Sequence, residues 1–147
     1  MKIRKFENKD AEFCFKVRND AYIRKFTNEL NAEEIAACAD AYKAEDYIKM
    51  AEESEFFLVE EEGMLLGFFN IKRINNTTAE IPLIYISLDH LDRGIGKACF
   101  GYIEDWITLH WRGVDLFFLD TIIPENNAGF YERVGFTHTK DTFCAFP

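Results

Sequence analysis

The stretch that most constrains the fold of this chain is 79–100, AEIPLIYISLDHLDRGIGKACF. Its first half is apolar and rich in β-branched residues, which predicts a strand from 77 to about 88. Its second half has helical spacing and predicts a helix from Gly94 to His110, entered through the tight loop DRGIGK at 92–97. A strand that leads through glycines into a helix leaves the first helical amides unpaired, and such amides favour a bound phosphate. The alternative, that the glycines serve turn geometry alone, stays open.

Two common phosphate-binding patterns do not fit this loop. A Walker A loop needs a glycine at the position of Leu91 and a hydroxyl at that of Ala98. A dinucleotide fingerprint needs a third glycine at Cys99. The residues LDRGIG at 91–96 instead resemble the central motif of the GNAT acetyltransferases, Gln/Arg-x-x-Gly-x-Gly/Ala, with Leu91 in place of the family's Gln or Arg.

This resemblance implies that main-chain amides of the loop hold the pyrophosphate of acetyl-CoA. The positions that it assigns to the cofactor are Arg93, Gly94, Ile95, Gly96 and Lys97. Leu91 and the negative charge of Asp92 both predict weaker binding of the cofactor.

A second stretch, NNAGFYERVGF at 126–136, is similar to the late motif of the same family, an Asn followed by Phe/Leu-Tyr-x-x-x-Gly-Phe. The resemblance implies that Asn127, or Asn126, lies near the pantetheine arm and that the Tyr131 hydroxyl points at the cofactor sulfur. Each residue also has a purely structural interpretation. Asn127 suits a helix N-cap, and Tyr131 suits a core aromatic residue with its hydroxyl at the surface.

The other elements follow from periodicity and turn residues. We expect strands at 2–6, 55–61, 64–74 and 114–123, and one or two more within 136–146. We expect a helix at 10–24 capped by Asn8, a helical region after the capping box that begins at Asn31, and a helix ending near 133. Pro82 lies inside the central strand and predicts a bulge or local split, because proline cannot donate to the ladder.

The predicted order is β-α-α-β-β-β-α-β-α-β, an α/β chain in which a mixed, mostly antiparallel central sheet is flanked by helices. This is the element order of the GNAT fold. At 147 residues, the sequence is consistent with one acetyltransferase domain spanning 1–147.

The resemblance also implies a mechanism of N-acetylation by direct attack on acetyl-CoA. A main-chain amide at Ile86 or Ser87 would polarise the acetyl carbonyl, and Tyr131 would protonate the leaving thiolate. Glu80, eleven residues before Leu91, is the candidate base, and regular alternation puts it on the same face as Ile86 unless a bulge intervenes. Asp120 and a chain of water molecules remain alternative bases, while Cys144 is the thiol to check for a covalent route. A non-catalytic acyl-CoA sensor is the alternative function.

Charge and cysteine usage narrow the partners and the compartment. The net charge of −9 disfavours nucleic acid and anionic membranes and suits a cationic amine, or it serves solubility alone. The expected acceptor is a small-molecule amine or the amino group of an amino acid or peptide, in preference to a nucleotide-linked or phosphorylated compound. Aromatic residues among the acids of the first helices predict a cation-binding mouth, formed by Tyr22, Phe26, Tyr42 and Tyr47. The four cysteines are widely spaced, so neither a disulfide framework nor a metal site is expected. No apolar leader or long apolar run is present, which predicts a cytoplasmic protein; a homodimer is left open.

Overall fold

The computed structural model describes residues 1–119 and 128–137, in which five strands form one mixed sheet. In spatial order the strands are β1 (Lys2–Lys5), β2 (Glu55–Glu61), β3 (Met64–Arg73), β4 (Thr78–Ile86) and β5 (Leu116–Phe118). The helices are α1 (Ala11–Asp20), α2 (Ala32–Ala39), α3 (Ala44–Glu53), α4 (Ile95–His110) and α5 (Ala128–Arg133). Strands β1 to β4 pair antiparallel, and β4 pairs with β5 in parallel. This arrangement confirms the predicted mixed, mostly antiparallel sheet flanked by helices.

The helices before β2 differ from the prediction in two places. The expected second helical region consists of two helices, because the helical conformation is interrupted between α2 and α3. Helix α3 starts anew after Lys43, whose N–H donates a hydrogen bond to the Asp46 carboxylate. Asn8 does not cap α1, since it lies inside a short 3-10 turn in which Asp10 accepts from Glu7 N–H. The Asn31–Glu34 capping box is present as predicted.

Helix α1 does not stop at Asp20 but continues through a π-helical turn, Ala21–Lys25. In this turn Phe26 N–H donates to the Ala21 carbonyl at 3.1 Å, one residue further than in an α-helix. Such wide turns are frequent at functional sites. The turn places Arg24 and Lys25 near the loop that follows β4, where Arg24 Nη2 lies 3.9 Å from Asp89 Oδ1.

The bulge predicted from Pro82 is present in β4. Asn70 of β3 lies opposite Leu83, but two positions further along β3 Lys72 lies opposite Glu80, so β4 carries one extra residue at Ile81–Pro82. The Asn70 side-chain oxygen accepts a hydrogen bond from Leu83 N–H at 2.9 Å. Because side chains alternate along a strand, the extra residue exchanges the two faces of β4 on either side of it.

The sheet has a different set of helices on each face. One face packs against α4 and α5 through a cluster that includes Phe57, Phe69, Ile81 and Ile103. The other packs against α1 and α3 through a cluster that includes Phe56, Phe68 and Tyr47. Beyond the bulge, Ile84 and Ile86 therefore face α4, whereas Leu83 and Tyr85 face α1.

Candidate functional site

The site is built where β4 runs on past its pairing with β5. In the described part of the chain, the parallel pairing joins Thr78–Glu80 to Leu116–Phe118 and ends there. Strand β4 continues to Ile86 along β3. The far half of β4 therefore leads from the sheet into the loop before α4.

The hydrogen bonds between β3 and β4 determine where the main-chain N–H groups at the end of β4 point. Ser87 N–H donates to the Leu66 carbonyl at 2.8 Å, and Gly67 lies opposite Ile86. In an antiparallel pair this bond flanks a non-hydrogen-bonded pair, whose own N–H and C=O groups point away from each other. The Ile86 N–H thus points away from β3, to the side on which β5 lies. Of the two amides expected to polarise a carbonyl, the amide of Ser87 is engaged within the sheet and that of Ile86 is directed outward.

The loop after β4 ends in an uncapped helix N-terminus. Gly94 has a φ of 74°, and the first intrahelical hydrogen bond runs from Ala98 N–H to the Gly94 carbonyl at 3.1 Å. The amides of Ile95, Gly96 and Lys97 precede that bond and have no acceptor within α4. A Cβ added at Gly94 would meet no atom within 4 Å, so the approach to these donors is open on that side. The donors and the open approach fit a phosphate group, as the sequence predicts.

The space beside Gly96 is filled by a ring of the protein. A Cβ at this position would lie 2.8 Å from Cζ of Phe130, a residue of α5. Its missing side chain therefore makes room for a ring of the protein and not for a ligand. Of the two glycines in the loop, only Gly94 therefore leaves open space beside the free amides of α4.

Basic side chains surround the loop, but several are paired within the protein. Arg93 donates to a Glu61 carboxylate oxygen at 2.6 Å and lies 3.2 Å from His90 Nδ1. Burial lowers the pKa of Lys25, and the nearby charge of Asp92 opposes this shift. Lys97 is exposed. The positive charge near the helix N-terminus is therefore partly balanced by local carboxylates.

Tyr131 lies in α5 and is half-buried among aromatic rings. Its ring centroid is 5.3 Å from that of Phe130 and 6.3 Å from that of Phe100. Gly135, with a φ of 106°, ends α5 as predicted, and Phe136 N–H donates to the Tyr131 carbonyl at 2.9 Å. The phenol of Tyr131 also interacts electrostatically with that of Tyr85 on β4. Asn126, Asn127, Asp120 and Cys144 lie outside the described residues.

Glu80 is not brought to Ile86. A shared face was expected only without a bulge, and the bulge lies between them. Glu80 lies opposite Lys72, on the face that β3 presents with Asn70 and Phe68, whereas Ile86 faces α4. Six residues of strand also separate them, which is about 20 Å at the usual rise of roughly 3.3 Å per residue. A half-buried carboxylate at the start of β4 is too far from the Ile86 amide for direct contact.

The described cysteines are poor nucleophiles. Cys14, Cys38 and Cys99 are buried, and burial raises the pKa of the Cys99 thiol to about 12 and that of Cys14 still further. No group of three or more metal-ligating side chains occurs within residues 1–119 and 128–137. None of the helices in those residues is long and apolar enough to cross a membrane.

Two of the four aromatic residues expected to form a cation-binding mouth, Tyr22 and Tyr42, contact a cation of the protein itself. Tyr22, Phe26 and Tyr47 are buried, with 5%, 6% and 0% of their surface exposed. The guanidinium carbon of Arg18 lies 4.7 Å from the ring centroid of Tyr22 and 4.5 Å from that of Tyr42. Arg18 was not among the predicted site residues, although it follows Cys14 by four residues on the inward stripe of α1, where a charged residue is unusual.

Comparison with known proteins places the chain in a family. The model of the acetyltransferase (GNAT) family matches residues 14–136. No curated protein matches the sequence.

Solved structures share the fold at low sequence identity. PaiA N-acetyltransferase of Thermoplasma acidophilum, in complex with coenzyme A, is 22% identical, with a TM-score of 0.81 over 97% of this chain and 92% of its own. A GCN5-related N-acetyltransferase of Rhodopseudomonas palustris is 16% identical, with a TM-score of 0.79 over 95% and 82% of the two chains. Ard1 of Thermoplasma volcanium is 20% identical, with a TM-score of 0.68 over 95% and 84%.

These similarities confirm the fold expected from the order of elements, and they agree with acyl transfer and with a CoA cofactor. The family match covers β2 to α5 and both motifs that the sequence offers for the cofactor. This chain belongs to the GNAT family of acetyltransferases.

Proposed function

We propose that this protein is an acetyl-CoA-dependent N-acetyltransferase that acts on a primary amine by direct attack within a ternary complex. The observation that carries the proposal is the combination of unpaired amides at the start of α4 with the outward-directed amide of Ile86. One set of donors suits a pyrophosphate and the other suits a carbonyl oxygen. Both lie on the same strand–loop–helix unit, nine residues apart in sequence.

Acetyl-CoA, when bound, supplies the thioester that the amine attacks. The amides of Ile95, Gly96 and Lys97 would hold its pyrophosphate, with the αL residue Gly94 leaving the approach open and with Arg93 at the rim. The Ile86 N–H would stabilise negative charge as it develops on the carbonyl oxygen. Asn127 remains the candidate contact to the pantetheine arm, and Ser87 would contribute by holding the end of β4 to Leu66.

Proton transfer needs an acid and a base. The Tyr131 hydroxyl would protonate the departing sulfur, because a phenol and a thiol have comparable basicity. The amine must lose a proton to attack, and the distance of Glu80 from Ile86 favours a water chain over direct abstraction by this carboxylate. Direct attack is also favoured because burial keeps Cys99 and Cys14 as thiols.

We also propose a cytoplasmic location. The acidic charge of the protein affects which acceptors it attracts. An amine is protonated in neutral solution, and a net charge of −9 attracts it. Cation–π capture by the first helices does not contribute, because Tyr22 and Tyr42 already contact Arg18.

Release of free thiol from acetyl-CoA across a panel of amines tests the activity. Turnover with at least one amine is expected. Tight binding of CoA without turnover on any amine would instead support a non-catalytic sensor.

Tyr131→Phe tests the role of the hydroxyl. We expect kcat to fall roughly 10- to 100-fold while KM for acetyl-CoA changes little, because the lost proton donor acts only as the sulfur becomes a thiolate. Tyr102→Phe is the matched control, since Tyr102 is a half-buried phenol of the same core that packs on Phe57. Equal turnover in both variants would return Tyr131 to a purely structural role.

A further inference from the structure

Arg18 is a buried cation that lacks a carboxylate partner among the described residues. The side chain is 3% exposed, and its Nη1 donates to the Cys38 carbonyl at 2.7 Å. Its Nε is buried and has no hydrogen-bond acceptor within residues 1–119 and 128–137. The ion pairs of the described chain involve other basic groups. A buried charge without a counter-ion is costly, so this site favours binding of an anion.

A second unpaired polar group lies in the same cluster. The Tyr47 hydroxyl is fully buried and has no hydrogen-bond partner in the described part of the chain. The Tyr47 ring centroid is 6.1 Å from that of Tyr42, whose ring stacks on Arg18. Arg18 also interacts electrostatically with the Tyr47 hydroxyl and donates a hydrogen bond to the Tyr85 hydroxyl. The cluster of Arg18, Tyr22, Tyr42, Tyr47 and Tyr85 thus offers an unused N–H and an unused O–H together with a positive charge. A carboxylate matches this set, because it accepts hydrogen bonds through two oxygens.

The cluster adjoins the reaction site proposed above. Tyr85 immediately precedes Ile86 on β4, and its hydroxyl lies 3.5 Å from that of Tyr22 within the cluster. Tyr85 also interacts electrostatically with Tyr131 on α5. Of the four rings, Tyr22 and Tyr47 are buried and Tyr42 and Tyr85 are half-buried, so the acceptor would have to pass beside Tyr42 and Tyr85 to reach Arg18.

We propose that Arg18 and Tyr47 bind a carboxylate of the acceptor, so that the acceptor is a small amino-carboxylate such as a free amino acid. This inference rests on the proposed N-acetyltransferase function and names its substrate class. A zwitterion also suits the acidic protein better than a purely anionic acceptor does, because its net charge is close to zero.

The test compares L-amino acids with their C-amides, which differ only in the carboxylate. We measure acetylation from acetyl-CoA by thiol release, and in parallel the shift in melting temperature of the CoA-saturated protein. At least one acid is expected to stabilise the protein and to be acetylated with a kcat/KM about 100-fold above that of its amide. Equal behaviour of acids and amides would overturn the proposal.

Two variants locate the carboxylate. Arg18→Met keeps the length of the side chain without charge or donors, and it is expected to bring the acid-to-amide ratio to about one. Arg73→Met is the control, because it removes the same charge from an exposed position at the end of β3 and should leave the ratio unchanged. An unchanged ratio in Arg18→Met would overturn the proposal.

Tyr47→Phe decides the matter if Arg18→Met does not fold. Since the hydroxyl has no partner, its loss should leave the melting temperature of the free protein unchanged while the acid-to-amide ratio falls. A destabilised variant with an unchanged ratio would indicate a structural water between Tyr47 and Arg18 and would refute carboxylate binding.

The panel also separates this inference from the function on which it rests. If other amines are acetylated but no amino acid binds or reacts, the carboxylate site is wrong and the N-acetyltransferase function stands. If CoA does not bind and no amine is acetylated, the proposed function fails and the inference fails with it.

Discussion

At the scale of single residues, Gly94 and Gly96 show that similar positions in a motif have different physical reasons. Gly94 takes a left-handed conformation with φ of 74° beside open space, whereas Gly96 leaves room for the ring of Phe130. A side chain at Gly94 would enter the region facing the free amides of α4. A side chain at Gly96 would push on the ring of Phe130, the residue next to Tyr131 in α5. The two glycines therefore need different experiments.

Gly94→Asp and Gly94→Asn form a matched pair for the phosphate site. Asp and Asn have the same size and both tolerate a left-handed φ, so backbone strain is similar and only the charge differs. We expect Gly94→Asp to weaken CoA binding roughly 10- to 100-fold more than Gly94→Asn, through repulsion of the pyrophosphate. Calorimetric titration with CoA measures the difference. Equal affinities would move the phosphate site away from the start of α4.

Glu80→Gln tests whether the carboxylate at the start of β4 acts on the amine. Because about 20 Å of strand separates Glu80 from Ile86, we expect kcat/KM to stay within roughly threefold of wild type at neutral pH. The measurement is a pH profile of kcat/KM, whose acidic limb should be unchanged. A loss of about 100-fold or more, or a shift of that limb, would restore Glu80 as the base.

At the scale of elements, one buried ion pair joins β1 to the start of α1 and to β2. Arg4 donates to both carboxylate oxygens of Asp10, at 2.9 and 3.0 Å, and to Glu60 at 3.0 Å. Burial acts to raise the pKa of Asp10, but the hydrogen bonds from Arg4 and from Glu7 N–H outweigh it and hold that pKa below its usual range. The charged form of Asp10 is therefore stabilised by folding.

This pair predicts a loss of stability in acid. Since the pKa of Asp10 is lower in the folded state, its contribution is complete at neutral pH and is lost as the pH falls through the folded pKa, below about pH 4. Asp10→Asn should lower the free energy of unfolding at pH 7 by about 3 kcal/mol, because it leaves Arg4 without a buried partner. In Asp10→Asn the free energy of unfolding should also fall less steeply as the pH decreases below about 4. Urea denaturation over a pH series checks both effects, with Glu52→Gln as the exposed control. If the free energy of unfolding of Asp10→Asn falls with pH as steeply as that of the wild type, the role given to Asp10 is contradicted.

At the scale of the whole molecule, the sequence predicts what depends on neighbouring residues. The capping box at Asn31, the β2–β3 hairpin with its left-handed Glu62–Gly63 turn, and the start of α4 are all local and are all present. The chain order of these elements was enough to indicate the mixed sheet.

What the sequence could not provide depends on contacts between distant residues. The use of Ser87 N–H by Leu66 follows from the β3–β4 register, and the separation of Glu80 from Ile86 follows from the exact site of the bulge. The surroundings of Arg18 come from four elements, so its burial among tyrosines is a property of the assembled chain. Periodicity places Arg18 on the inward stripe of α1 but cannot name its partners.

The extra residue at Ile81–Pro82 has a consequence for how this sequence can vary over evolution. The outward amide of Ile86 is a main-chain group, so many side chains at position 86 preserve it. The length of the segment between Glu80 and Ile86 is constrained in one direction. Removing one residue at Ile81–Pro82 would leave a regular ladder in which Leu83 still lies opposite Asn70 and Ile86 opposite Gly67, so the Ile86 amide and the Tyr85 ring would keep their directions. One added residue would need a second bulge to keep them. Homologous sequences that keep this architecture should therefore tolerate a one-residue deletion at this bulge more readily than an insertion.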